Sequence, residues 1–177
     1  MTTFASRITR TPRAYEPDRG GEAAALFPDL PTETREVITG AGGCSPYLKG
    51  LLERETTWAA AALSGPPEAA LADLLAETAT LDGPTTAKAL RQAKRRLALL
   101  TGLADLAGVW SMEEVTGALT RFADLSVARA IATLTAAEIA KGNLAGATLE
   151  DADNGAGMVA IAMGKMGAHE LNYSSDI

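Results

Sequence analysis

The chain has 177 residues, 47% hydrophobic but only 5% aromatic, with a formal net charge of −6. That length allows one core of ordinary size, and the shortage of cations excludes the basic surface on which nucleic-acid binders depend. A single Cys44 excludes an internal disulfide and suits a reducing cytoplasm; the first thirty residues hold no apolar signal segment, and no run is long enough to span a bilayer, so a soluble cytoplasmic protein is expected.

Residues 1–31 carry Pro12, Pro17, Pro28, Pro31 and the Gly20-Gly21 pair, the composition of an extended arm. A helical region is expected over 32–146. A short helix from Thr32 to Ile38 meets Gly40, Gly42 and Gly43. Ser45 before Pro46 is a good helix start, and Leu48, Leu51, Leu52, Trp58 and Leu63 keep helical spacing up to Gly65. Pro66-Pro67 opens the next helix. Thr85 to Ala107 sets Leu90, Leu97, Leu100 and Leu103 on one side and Lys88, Arg91, Lys94 and Arg95 on the other. Ser111-Met-Glu-Glu114 is a capping box that starts the strongest helix, running to about Lys141.

Residues 147–156 read as a polar acidic loop. Glu150, Asp151 and Asp153 lack the glycine and the terminal glutamate that a calcium loop needs. The pattern then changes period, and the apolar run Gly157 to Met163 reads as a short buried strand. The class expected is therefore mainly α: an N-terminal helical bundle, then the first strand and turn of a truncated α/β domain over 147–177. A lone strand and turn have no sheet to join.

The last fifteen residues carry the chemistry. Gly164 and Gly167 bracket a turn through which backbone N–H groups can approach phosphate oxygens, and the hydroxyls of Ser174 and Ser175 add donors. Ten residues lie between Lys165 and Asp176. Neither Gly-x-Gly-x-x-Gly nor Gly-x-x-x-x-Gly-Lys-Ser/Thr occurs here. Lys165 is read equally as a point charge on a phosphate or as an exposed loop lysine, and His169 as a solvated loop histidine. The run Arg91, Lys94, Arg95 and Arg96 reads as a solvated face pairing with Asp82, Asp105 or Glu77, with an acidic partner as the functional alternative. Trp58 and Trp110 read as packing anchors, and Cys44 as a bystander thiol.

Gly164-Lys165-Met166-Gly167 followed by Glu170-Leu171-Asn172-Tyr173-Ser174-Ser175-Asp176-Ile177 resembles the signature of the bifunctional glutamine synthetase adenylyltransferase/adenylyl-removing enzymes. The departures are Met166 for leucine, Ala168 for a second glycine and His169 for a cation. Weaker similarity begins at Ser45. The resemblance implies a DNA polymerase beta-like nucleotidyltransferase domain, and the Asn-Tyr-Ser-Ser form is that of the domain that removes AMP from a tyrosine of glutamine synthetase by phosphorolysis, releasing ADP. A second domain of such enzymes attaches AMP from ATP, and a PII-type nitrogen-signalling protein selects the direction.

On this resemblance Asp176 is the catalytic and metal-binding residue for Mg²⁺, and Gly164, Lys165, Gly167, Ser174 and Ser175 shape the phosphate and nucleotide site. The second aspartate of an Asp-x-Asp pair would fall at position 178, so the chain is expected to be an inactive fragment by itself. No nucleic-acid or membrane partner is expected. The alternative reading is a helical protein-interaction or regulatory module without catalysis.

Overall fold

The computed structural model describes residues 2–175. It is built from helices, in the order α1 (Pro17–Ala25), α2 (Thr32–Cys44), α3 (Pro46–Arg54), α4 (Thr56–Ser64), α5 (Pro67–Ala79), α6 (Thr86–Leu106), α7 (Met112–Ala140) and a single helical turn, α8 (Gly164–Gly167). The mainly α class is what the alanine- and leucine-rich composition dictates. No helix among the described residues is long and apolar enough to cross a membrane.

α6 is the axis of the bundle, packing against α2, α3, α4, α5 and α7. Its buried residues Leu97, Leu99, Leu100 and Leu103 meet Phe27, Ile38, Leu51, Leu52, Leu63, Leu74 and Phe122 in one apolar core. The capping signals act as expected. Ser45 Oγ accepts from the Leu48 amide at 3.1 Å to start α3, and Ser111 and Glu114 form both halves of the capping box that starts α7.

Residues before α2, expected as an extended or loosely docked arm with one helical turn at Glu22 to Leu26, pack on the bundle. They carry a short 3₁₀ turn and α1, and Phe4 is fully buried, its amide donating to the Gly65 carbonyl at 2.9 Å. The amides of Thr9 and Arg10 both donate to the Ala107 carbonyl. Proline-rich composition signals the missing helix bonds but is blind to where a segment docks. The close crossing of α1 and α2 depends on glycine. A Cβ on Gly40 would fall on the Pro12 carbonyl oxygen, and one on Gly20 on that of Thr39.

The expected continuous helix from 46 to 64 is broken at Glu55, whose backbone leaves the helical region (φ −115°, ψ 26°). Glu55 is 5% exposed. Arg95 Nε donates to its Oε1 at 3.1 Å and Arg96 Nε to its Oε2 at 3.0 Å. Arg96 also stacks 5.6 Å over the Trp58 ring and lies 3.8 Å from Glu77. The solvated basic face expected on α6 is therefore split: Arg95 and Arg96 turn to a buried carboxylate, while Arg91 and Lys94 remain exposed. A buried anion needs paired cations to offset its desolvation, a demand that helical periodicity cannot reveal.

The apolar run after Gly157 is not a strand. Val159, Ile161 and Met163 are each more than 80% exposed, and no strand occurs among the described residues. A strand's backbone bonds lie in its neighbour, and here no neighbour is present. The preceding acidic segment winds into 3₁₀ turns over Leu149–Gly157, with Gly155 and Ala156 left-handed, and an Arg129–Asp153 ion pair ties it to α7.

Two outcomes test this architecture. Gly40→Ala should lower stability by about 1–3 kcal/mol despite alanine's better helix propensity, read as a fall in thermal midpoint. For Glu55, burial pushes the carboxyl up, but hydrogen bonds from Arg96, Arg95 and Gln92 outweigh it and hold it below its ordinary 4.5. A depressed folded value stabilises above the unfolded value, so this contribution should be fully present above about pH 4.5 and lost as pH falls through the folded value. Glu55→Gln should flatten that acid limb, and Glu55→Ala should cost about 2–4 kcal/mol at neutral pH in urea unfolding.

Candidate functional site

The signature segment returns to the bundle after its excursion. Gly164 takes a left-handed φ of 58° and opens the single turn α8. Inside it the Gly167 amide donates to the Met163 carbonyl at 3.3 Å and the Ala168 amide to that of Gly164 at 3.0 Å. The amide of Gly167 is thus engaged within the turn. Lys165 is exposed, as is His169, which is left-handed at φ 58°.

Leu171 is the anchor. It is 6% exposed, and its amide donates to Thr120 Oγ1 on α7 at 3.3 Å. From that fixed point the chain turns: the Ser175 amide donates to the Asn172 carbonyl at 3.1 Å. The hydroxyls of Ser174 and Ser175 both donate to Asn172 Oδ1, at 3.1 and 2.8 Å. The two serines thus meet on one amide oxygen, which leaves their lone pairs as acceptors. Asp176 lies outside the described residues.

The structure brings Asn172, Ser174 and Ser175 together, and Gly164, Lys165 and Gly167 of α8 are exposed. From sequence Asn172 is named only as part of the signature, with no role of its own, and Thr120 is not reached. The one signal for Thr120 was a polar residue beside the apolar Leu119 and Phe122 of α7; nothing in the periodicity pointed across fifty residues to Leu171.

Next to this turn lies a groove of about 400 Å³ between α3, α6, α7 and the signature segment. Leu97, Ala98, Leu119 and Phe122 form its floor, and Tyr47 and Tyr173 stand on its rim. Burial and then the field of Asp105 push the Tyr173 phenol up to about 12, against a hydrogen bond with Thr101. Although the residue is 53% exposed overall, its hydroxyl end sits beside Asp105 and stays a neutral donor throughout the physiological range. A second cleft of about 440 Å³ opens between α7 and residues 153–166, lined by Val127, Ile131, Met158 and Ile161.

Among the described residues no group of three or more His, Cys, Asp or Glu side chains could hold a metal ion. They do not by themselves make a site for Mg²⁺, which demands octahedral oxygens.

Residues 38–177 match the family model of glutamate–ammonia ligase adenylyltransferase. The chain belongs to this family. A bifunctional glutamine synthetase adenylyltransferase/adenylyl-removing enzyme of Bradyrhizobium sp. (strain BTAi1) is 40% identical over 87% of the chain. Relatives of the same name from Rhodopseudomonas palustris (strain CGA009) and Caulobacter vibrioides are 35% identical over 99% and 43% identical over 75%. The chain spans 16%, 20% and 14% of the length of these three relatives. No solved structure matches. The region matched to this adenylyltransferase family takes in α3 to α7 and the signature segment.

The anchoring of the segment is testable. Leu171→Ala should cost about 2 kcal/mol locally, seen as faster amide exchange across 164–175 with little change in the core of α6. Equal acceleration in α6 would show that Leu171 belongs to the global core instead.

Proposed function

We propose that this chain forms part of an enzyme that removes AMP from a tyrosine of adenylylated glutamine synthetase, and that it contributes the helical support and the phosphate-binding signature of that site. The observation that carries the reading is the run Glu170 to Asp176, joined to a family match over residues 38–177. In the proposed reaction an oxygen of inorganic phosphate attacks the adenylyl phosphorus. The phosphorus–tyrosine oxygen bond breaks, ADP leaves, and the phenol takes up a proton. Displacement at phosphorus asks the protein for positioning and charge neutralisation more than for covalent chemistry.

Each residue then has a limited task. Lys165, exposed on α8, offers a mobile positive charge to the phosphate. Gly164 and Gly167 keep that turn free of side-chain bulk. Asn172 orients the hydroxyls of Ser174 and Ser175, which change from internal donors to phosphate donors by rotation about one bond. Asp176 is proposed as one carboxylate ligand of Mg²⁺, an ion that neutralises phosphate charge when bound. Addition of AMP from ATP is assigned to a second domain, and a PII-type signalling protein is proposed as the regulator.

The assay is ADP formation from adenylylated glutamine synthetase, inorganic phosphate and Mg²⁺. Residues 1–177 alone should release none, since a single signature carboxylate makes a poor magnesium site. The full-length gene product should release ADP, and Asp176→Ala in it should lose most of the rate, about 10²-fold or more. An unchanged rate in that variant removes Asp176 from its role, and ADP from residues 1–177 refutes the claim of inactivity.

A further inference from the structure

The groove beside the signature turn is apolar along its floor and charged at both ends. Lys94 lines one end, with Arg91 one turn earlier on the same exposed face of α6. Asp105 lines the other end, paired with Arg10 at 3.3 Å. Ten residues of α6 lie between Lys94 and Asp105, a rise of about 16 Å, which matches about five residues of extended chain. Tyr173 and Ser175 belong at once to the groove wall and to the signature turn, so whatever lies in the groove abuts the candidate site.

We propose that this groove receives the polypeptide flanking the modified tyrosine of glutamine synthetase, with an acidic side chain of that flank held at Lys94 and Arg91 and apolar side chains laid on Leu97, Ala98 and Phe122. The inference rests on the function proposed above and adds to it the surface that recognises the substrate protein. Three observations favour a polypeptide of this chemistry. The floor is apolar and is bounded along α6 by Lys94 and Asp105. On a chain whose net charge is −6, the cation at one end, Arg10, is paired with Asp105, whereas at the Lys94 end two cations, Lys94 and Arg91, are exposed. Their neighbours Arg95 and Arg96 are taken up by Glu55, so the two ends of the basic run have different work.

The test is binding of adenylylated glutamine synthetase to the immobilised 177-residue chain. Arg91→Glu with Lys94→Glu should weaken binding about tenfold or more and reduce its salt dependence. Both residues are exposed, so the melting curve should not move. Ala98→Trp, which fills the floor, should weaken binding without altering the charge. Lys141→Glu, distant and paired with Glu138, should leave affinity unchanged. Equal affinity in the double reversal and the groove-filling variant overturns the inference, as does absence of binding by the unaltered chain. Sedimentation showing a dimer abolished by Ala98→Trp would assign the groove to a second copy and overturn it too. None of these failures touches ADP formation by the full-length product, which tests the catalytic proposal separately.

Discussion

Glu55 is the point on which the bundle turns. Its carboxylate is taken out of water at the break between α3 and α4, and two guanidiniums one residue apart on α6 reach it through separate oxygens. Those bonds set how α3 and α4 lie on the central helix, because a buried anion tolerates little displacement of its partners. Once α6 is placed against α3 and α4, its leucines meet Val37 and Ile38 of α2 and the apolar residues of α5 and α7. The basic run of α6 is divided by the same arrangement: Arg95 and Arg96 reach to Glu55, and Arg91 and Lys94 stay exposed.

The signature segment is held differently. It does not share the core's density of contacts but hangs from Leu171 and the hydrogen bond to Thr120. Beyond that anchor the polar atoms of Asn172, Ser174 and Ser175 satisfy one another. The run from Met158 to Met163 has the opposite character, an apolar sequence lying open on the surface. Its pattern is that of a strand, and a strand is a property of two chains segments side by side rather than of one.

Much of the helical framework was legible beforehand because its signals are local. Ser45-Pro46, Pro66-Pro67 and Ser111 to Glu114 mark helix starts through atoms within three residues of each other. The periodic leucines of α6 and α7 mark the buried faces. The break at Glu55 was not legible, since its cause lies forty residues away in Arg95. Nor was the docking of Phe4 under Gly65, or the role of Gly40, which serves a carbonyl of Pro12 rather than a turn of its own.

For the candidate site the division is similar. The order of glycine turn, serines and aspartate is written in the chain, and with it the family, because a signature consists of residue types at set spacings. The sequence alone thus determined the helix starts at Ser45, Pro66 and Ser111 and which residues belong to the signature. Tertiary structure alone decided that Asn172 gathers both serine hydroxyls, that Thr120 fastens the segment, and that a groove with a cation at one end runs beside it. Those are relations between distant parts of the chain, and they exist only once burial and pairing have brought the helices together.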